Sequence, residues 1–404
     1  MKIGFFIVSL NAYHAHIKPF IDYLSDADYS FVIFHLNNLY TPEFSIDELP
    51  CSTVSLSKMC NIKKILCYHS IDFMVFINPG SLFDLFLIAC CKQLNITTIY
   101  YQHGIQLDFS SFNPNSLNRN KTLKAFLIRI KKYFYIYFFI LNNIFFFKRA
   151  KNILKTVTIK TLHLLNKKNK NVLPKYGLKF MHIDYAFVYG KLDKKYLISS
   201  MDMCNKNIIL SGYPFIQQSE KLKFLSRIKY ILYISSGLRK AGVIPIAEKE
   251  EREFYLNINE IAFQNNFKLI IKIHPQENIK LFEKNFENNK NIIVYKHKNL
   301  ADLTINSECV LGDYSTALFY AIKYYKPILI IRNRFFHTYP FDLTKYDIGK
   351  KIDLTNLDIE LKRLGLTRYE KKKYQDFLHN HLLSPFSETL YKIFYDHLEK
   401  IRKA

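Results

Sequence analysis

The chain has 404 residues, 49% of them hydrophobic, which excludes a disordered tail and allows two domains that each bury a core. Lys and Arg outnumber Asp and Glu by 58 to 34, a net charge of +24. A balance that basic calls for an anionic counterpart: nucleic acid, anionic lipid, an acidic polymer or phosphorylated substrates. No zinc-finger spacing, RNP motif or helix-turn-helix cue occurs and the lysines are spread out, so nucleic acid is not an expected partner.

At the start, Lys2 to Val8 predicts a buried strand. Its apolar run is short and turns polar at Ser9-Leu10-Asn11 with no small-residue cleavage site, unlike a signal peptide. A loop carrying Asn11, His14 and His16 precedes an apolar-periodic helix over Ile17 to Leu24. Asp26-Ala27-Asp28 imitates a metal-binding pattern but sits where Asp commonly makes turns, and a turn is expected before the strand Phe31–Phe34. The seven cysteines are odd in number, form no C-x-x-C pair and lie mostly in apolar runs, which suits reduced thiols in a cytosolic protein.

Ile71–Ile77 predicts a strand, Asn78-Pro79-Gly80-Ser81 a turn with a helix cap, Leu82 to Gln93 a helix, and Ile96–Tyr101 another strand. Strand, helix and strand with short connections form a βαβ unit and hence a parallel sheet. Gln102-His103-Gly104 then falls just past the C-terminal end of a strand, the edge where open α/β sheets bind ligands. A His there can act as a general base near neutral pH or can be hydrogen-bonded within the turn, and its position leaves both open.

Residues 118–175 differ in character. The aromatic run Tyr133 to Phe147, bracketed by Lys131-Lys132 and Lys148-Arg149, is shorter than the ~20 residues a spanning helix needs. Its coincident aromatic and basic clustering predicts contact with an anionic membrane surface, against the alternative of helices packed on the domain. After it, Asp184–Gly190 and Ile208–Pro214 predict strands ending in turns, and the polar stretch 215–228 a linker.

From Lys229 the alternation is regular: strand Tyr230–Ile234, helix Ala247–Asn265, strand Lys268–Ile273, helix Glu277–Asn285, strand Ile292–Tyr295, helix Leu300–Asn306, strand Cys309–Leu311. A polar turn, a helix of about three turns beginning at Ser315 and Thr316, and strand Ile328–Ile331 complete a second doubly wound domain. Three loops leave the same edge of its sheet: Ser235-Ser236-Gly237-Leu238-Arg239, His274-Pro275 and Asp313-Tyr314-Ser315-Thr316. Hydroxyls, a guanidinium, an imidazole and a helix N-terminus suit a diphosphate or phosphodiester without a metal, although a Ser at a helix start also serves simply as a cap. No G-x-G-x-x-G or G-x-x-x-x-G-K-[ST] occurs, against standard dinucleotide and P-loop sites. The tail predicts two helices, the first opened by the capping box Thr367-Arg368-Tyr369-Glu370, the second with Leu390, Phe394, His397, Leu398 and Ile401 on one face.

Two Rossmann-like domains facing a cleft, with C-terminal helices, resemble the GT-B glycosyltransferase fold. On this likeness residues 1–215 are the acceptor-side domain with 118–175 inserted, 226–375 the donor-binding domain and 376–404 the closing helix. The ordered set Gln102-His103-Gly104, Gly212-Tyr213-Pro214, Ile231 to Arg239, Ile273-His274-Pro275 and Asp313 to Thr316 resembles the CDP-glycerol glycerophosphotransferases of teichoic-acid and capsule synthesis. The resemblance implies a metal-independent transferase, without cofactor, using a CDP-, CMP- or UDP-linked sugar or polyol donor. Its acceptor would be a capsule, lipopolysaccharide or teichoic-acid type polymer or a lipid-linked chain, at the inner face of the cell membrane. It further implies that His103 deprotonates the acceptor hydroxyl and that His274 assists departure of the donor phosphate. Ser235, Ser236, Gly237, Arg239, Pro275, Ser315 and Thr316 would hold the donor, with Asp313 orienting its loop; His14, His16 and Gly104 fall on the acceptor side. Phe215-Ile216-Gln217 stands where that family has Arg-Asn-Asp, and Ser235-Ser236 where it has Pro-Thr. The His-Pro and Ser/Thr pair is also similar to CMP-sugar sialyltransferases and polysialyltransferases, which carry an acidic residue before the glycine where this chain has His103. Two other classes stay open: a non-catalytic basic protein that binds an anionic polymer or membrane, and a nucleotide-sugar epimerase, which His274-Pro275-Gln276-Glu277-Asn278 favours slightly.

Overall fold

The computed structural model describes residues 1–7, 13, 17–36, 49–56, 61–77, 79, 82–102, 135–143, 182–201, 203–217, 228–237, 247–275, 277–312, 315–332, 342–383 and 389–403. They form two compact units, each built on one parallel sheet. The first contains β1 (Lys2–Ile7), β2 (Ser30–His35), β3 (Ser52–Ser55), β4 (Phe73–Ile77), β5 (Thr97–Tyr101), β6 (Tyr185–Val188) and β7 (Ile208–Leu210), in the order β3-β2-β1-β4-β5-β6-β7. Every pairing is parallel, as the helical crossovers dictate.

Successive side chains of a strand face opposite sides of the sheet, and both sides are covered here. Phe6 of β1 packs with Phe83 and Phe86 of the helix Leu82–Gln93, while Ile3, Phe5 and Ile7 pack with Phe20 of the helix Lys18–Leu24. The chain's last helix, Leu390–Lys403, belongs to this first unit, and its buried stripe Leu390, Ile393, Phe394 and Leu398 lies on the Phe20 side. Rings of Tyr101, Tyr391 and Phe394 surround Phe20 at 5.0, 5.0 and 4.9 Å, and the Tyr29 hydroxyl donates to Glu399 at 2.6 Å. Removing one such ring leaves a cavity, so Phe394→Ala should destabilise the protein by about 3–5 kcal/mol. Urea titration checks this; a loss below about 1 kcal/mol, the ordinary surface range, would mean that the helix is not docked.

Residues 135–143 are the described part of the basic aromatic stretch, and they form a helix. Ile136, Phe139 and Ile140 are buried, with the Phe139 ring 5.0 Å from that of Phe83. Asn143 Oδ1 accepts the Ile62 backbone N–H at 2.8 Å, tying this helix to the start of another, Ile62–His69. One face is therefore core of the first unit, while Tyr137 and Phe138 remain 42% and 47% exposed. The rest of 118–175 lies outside the described residues. No helix among the described residues is long and apolar enough to cross a membrane.

The second unit contains β8 (Tyr230–Ile234), β9 (Lys268–Lys272), β10 (Ile292–Tyr295), β11 (Cys309–Gly312), β12 (Ile328–Ile331) and β13 (Lys350–Ile352), in the order β10-β9-β8-β11-β12-β13. All pairings are again parallel. Tyr255, Ile258 and Ala262 of the helix Glu248–Gln264 cover one face of this sheet together with Phe282 and Phe286. The capping box at Thr367 forms as expected: its hydroxyl accepts the Glu370 N–H at 3.2 Å and the Glu370 carboxylate accepts the Thr367 N–H at 2.7 Å.

The architecture is the doubly wound α/β class expected, and the bounds of most strands agree within two residues. The sequence reading did not foresee β3, β13 or the helices Ile62–His69, Lys191–Met201, Pro214–Gln217 and Leu357–Lys362. The helix after Ser315 is shorter than expected: a 3-10 turn over Thr316–Leu318 runs into α-helix over only Phe319–Lys323. Tyr325 turns left-handed at φ 51° and Pro327 follows, which ends it there. The Asp26–Asp28 segment is a turn, as expected. Cys90, Cys91 and Cys309 are buried free thiols, whereas Cys67 and Cys204 are exposed.

Candidate functional site

In the second sheet β8 comes first in the chain, β9 and β10 add to one side of it, and β11 to β13 add to the other. The winding direction reverses between β8 and β11, and loops leaving the C-terminal ends of strands at such a reversal frame a ligand crevice. Ile234 and Gly312 are paired at the ends of these two strands, so the loops that follow start side by side. Ser235 follows β8, Ser315 lies in the loop after β11, and His274 follows β9, the other neighbour of β8.

The β8 loop and His274 touch. Gly237 has φ +67° and lies against the imidazole so closely that a Cβ built there would be 2.6 Å from His274 Cγ and 2.8 Å from Nδ1. Only glycine adopts that backbone without strain and leaves room for the ring. The Gly237 N–H donates to the Ser235 hydroxyl at 3.2 Å, and the Ala317 N–H donates to the Ser315 hydroxyl at 3.2 Å. Each serine oxygen thus serves a backbone N–H, and its own O–H stays available as a donor to an anion. Ser315 is the N-cap of the 3-10 turn, so the capping role weighed against phosphate binding is present, and the two roles are compatible.

His274 is held from below. Its backbone N–H donates to Glu277 Oε2 at 2.7 Å, and the Glu277 N–H returns to the His274 carbonyl at 2.9 Å. Glu277 is 3% exposed, so this carboxylate is spent on the turn. Burial holds the His274 imidazole below its ordinary pKa; Glu277 opposes the shift and Lys272 adds to it. The ring is therefore neutral at pH 7, a hydrogen-bond donor at one nitrogen and an acceptor at the other.

In the first unit, the backbone around Gln102 is fixed by β6 and its turn. Gln102 is fully buried; its N–H donates to Phe187 O at 3.1 Å, its Oε1 accepts the Tyr189 N–H and its carbonyl accepts the Tyr189 hydroxyl, both at 2.9 Å. The Gly212 N–H donates to Tyr189 O at 3.1 Å, and the rings of Tyr189 and Tyr213 lie 4.8 Å apart. The Gln102 and Gly212-Tyr213-Pro214 motifs thus share one sheet edge through Tyr189, a residue that sequence reasoning did not single out. His14, His16, His103, Gly104, Arg239 and Asp313 lie outside the described residues. Ser236 and Thr316 are half-buried, and Pro275 is exposed. The role of Glu277 in the turn was also missed, and the His-Pro-x-Glu spacing was the clue, because a carboxylate three residues on can return to the backbone of the turn.

Two doubly wound parallel units with the last helix returned to the first define a chain of the GT-B class. Within that class the chain belongs to the alpha-2,8-polysialyltransferase (POLYST) family, whose model matches residues 11–333. The match falls on the second of the two resemblances drawn from the sequence. No curated protein matches the sequence significantly. Among solved structures, UDP-GlcNAc 2-epimerase from Methanocaldococcus jannaschii is similar at 15% identity and a TM-score of 0.52, over 99% of this chain and 100% of that one. A wall teichoic acid polymerase is similar at 14% identity and a TM-score of 0.54, over 100% of this chain and 90% of the other. The glycotransferase of kitacinnamycin is similar at 8% identity and a TM-score of 0.54, over 99% and 98%. Identities this low speak for the shared fold alone.

Proposed function

We propose that this chain is a GT-B transferase that moves a glycosyl group from a CMP-linked donor onto a cell-surface polysaccharide or lipid-linked glycan, without a metal. The observation that carries this reading is the packing of the Gly237 backbone on the His274 ring beside the winding reversal of the second sheet, with Ser235 and Ser315 in the adjoining loops. Hydroxyls and an imidazole in adjoining loops suit a phosphodiester leaving group. The family match supports the donor class.

In the reaction the acceptor hydroxyl oxygen bonds to the anomeric carbon as that carbon's bond to the phosphate oxygen breaks. The hydroxyl proton passes to His103, and the nucleotide departs with the electron pair. Ser235, Ser236, Arg239, Ser315 and Thr316 hold its phosphate, Pro275 shapes the turn and Asp313 orients its loop. His274 donates a hydrogen bond to the oxygen on which charge develops, and positioning with charge stabilisation supplies most of the rate. His14, His16 and Gly104 serve the acceptor. The exposed Tyr137 and Phe138, with the basic residues flanking them in sequence, favour contact with the inner face of an anionic membrane.

A polyol-phosphate transferase using a CDP-linked donor is the second reading, favoured by Gln102-His103-Gly104, which lacks the acidic residue expected before the glycine. Calorimetry with CMP, CDP and UDP, followed by nucleotide release from CMP-, CDP- and UDP-linked donors, separates the two. CMP should bind at least about 10-fold more tightly than UDP, roughly 1.4 kcal/mol. Absence of binding by all three nucleotides, with tight salt-sensitive binding of an acidic polymer, would instead identify a non-catalytic binding protein.

A further inference from the structure

The turn that carries His274 is tied to the end of β10 by two lysines. Lys272, the last residue of β9, donates from Nζ to the Lys296 carbonyl at 2.6 Å and to the Ile273 carbonyl at 3.4 Å. Lys296, one residue past β10, donates from its own Nζ to the Glu277 carbonyl at 2.8 Å. Glu277 in turn holds the His274 N–H. The result is a chain of bonds from β9 to β10, back to the turn, and on to the catalytic candidate. The plain β9–β10 pairing ends at Lys272 opposite Tyr295, so this brace begins where the sheet stops.

Both lysines are half-buried, and neither has a carboxylate within ion-pair distance among the described residues. Burial and the neighbouring Lys296 ammonium hold the Lys272 amine below its ordinary pKa. Placing two cations side by side, away from carboxylates, costs stability that carbonyl hydrogen bonds only partly offset. An apolar or amide side chain would close the same gap with less strain on the fold. Their bonds to carbonyls of the turn that carries His274 fit a task in the site.

We infer that Lys272 and Lys296 are positioning residues of the donor site: paired cations that clamp the His274 turn to the end of β10, with Lys272 bringing its charge close to the imidazole. Among the described residues, the charged groups that act on the His274 ring are Glu277 on its own turn and Lys272 on β9, and Ser235–Gly237 carry none. The clamp fixes where the ring points, and Lys272 adds to burial in opposing its protonation until an anionic donor arrives and offsets that charge. The role in transfer rests on the reading proposed above, but the coupling to the imidazole does not.

The test is therefore read first without donor. The His274 imidazole is titrated by NMR in wild type, Lys272→Met, Lys296→Met and the two Lys→Arg variants, each checked by thermal melting. Lys272→Met should titrate at higher pH than wild type, because a cation that opposes protonation has gone, Lys296→Met should alter the titration by releasing the turn that holds the ring, and the Arg variants should titrate like wild type. With donor present, the Met variants should lose about 10-fold in kcat with KM nearly unchanged, and the acid limb of their pH profile should move up. Lys→Gln replaces Met where the latter fails to fold. A His274 titration unchanged in both neutral variants overturns the proposal, whatever transfer does. An altered titration in a protein that shows no transfer with any donor sinks the proposed reaction instead.

Discussion

Replacing His274 with Ala should lower kcat by about 10²–10³-fold while leaving the protein folded, because a donor aimed at developing charge is worth that much in a preorganised site. The backbone of the turn does not depend on the ring: Glu277 holds the His274 N–H, and Lys296 holds the Glu277 carbonyl. Melting should thus change little at pH 7.5, and steady-state kinetics should show the loss in kcat more than in KM. His103→Ala, at the other imidazole, should cost kcat similarly through the missing base. Normal turnover in either variant removes that residue from the mechanism.

The same substitution predicts an acid effect with a definite sign. Burial lowers the folded-state pKa of His274, so below its unfolded value near 6.5 the unfolded chain binds a proton before the folded one does. This ring therefore withdraws stability as pH falls from about 6.5 toward its folded pKa, and no further below that. His274→Ala should lose less melting temperature than wild type between pH 7 and pH 5. A steeper loss in the variant would mean that the ring is not held neutral.

The second large effect is expected at Gly237. An added methyl would lie 2.6 Å from His274 Cγ and 2.8 Å from its Cβ and Nδ1, at a backbone φ of +67°. Left-handed backbone costs a non-glycine residue about 1–2 kcal/mol, and the contact must be relieved by moving the ring or the loop. A shift of that kind in a catalytic group is worth about 10²-fold in rate. Gly237→Ala should therefore melt a few degrees lower, by about 2–4 °C per kcal/mol, and lose about 10²-fold in kcat. In a His274→Ala background part of the stability cost should disappear, since the contacts with Cγ and Nδ1 vanish while the one with Cβ remains. Full additivity of the two changes would show that the loop and the ring do not meet.

Which strands form was written locally. Tyr230–Ile234, Lys268–Lys272 and Ile328–Ile331 are short apolar runs bounded by turn residues, and a strand buried on both faces can be little else. The capping box at Thr367, the turn at Asp26–Asp28 and the buried stripe of the last helix were legible for the same reason: each depends on residues within a few positions of one another. The strands Ser52–Ser55 and Lys350–Ile352 were not legible, because at the edges of their sheets they are short, polar and partly exposed and carry no apolar run. The helix after Ser315 was overestimated because its first turn is 3-10 and because the left-handed turn at Tyr325, which is not a glycine, stops it ahead of Pro327.

The sequence by itself thus determined two doubly wound parallel units and the loops at the carboxyl ends of their strands. It offered hydroxyls, an imidazole and a glycine as separate candidates. That Gly237 lies on the ring of His274, that Glu277 spends its carboxylate on the turn and that Lys272 and Lys296 brace it were decided by the tertiary structure. The reason is the order β10-β9-β8-β11, which sets residues distant in the chain side by side. Local periodicity specifies a strand, but the pairing of strands is fixed only when the whole sheet buries both of its faces.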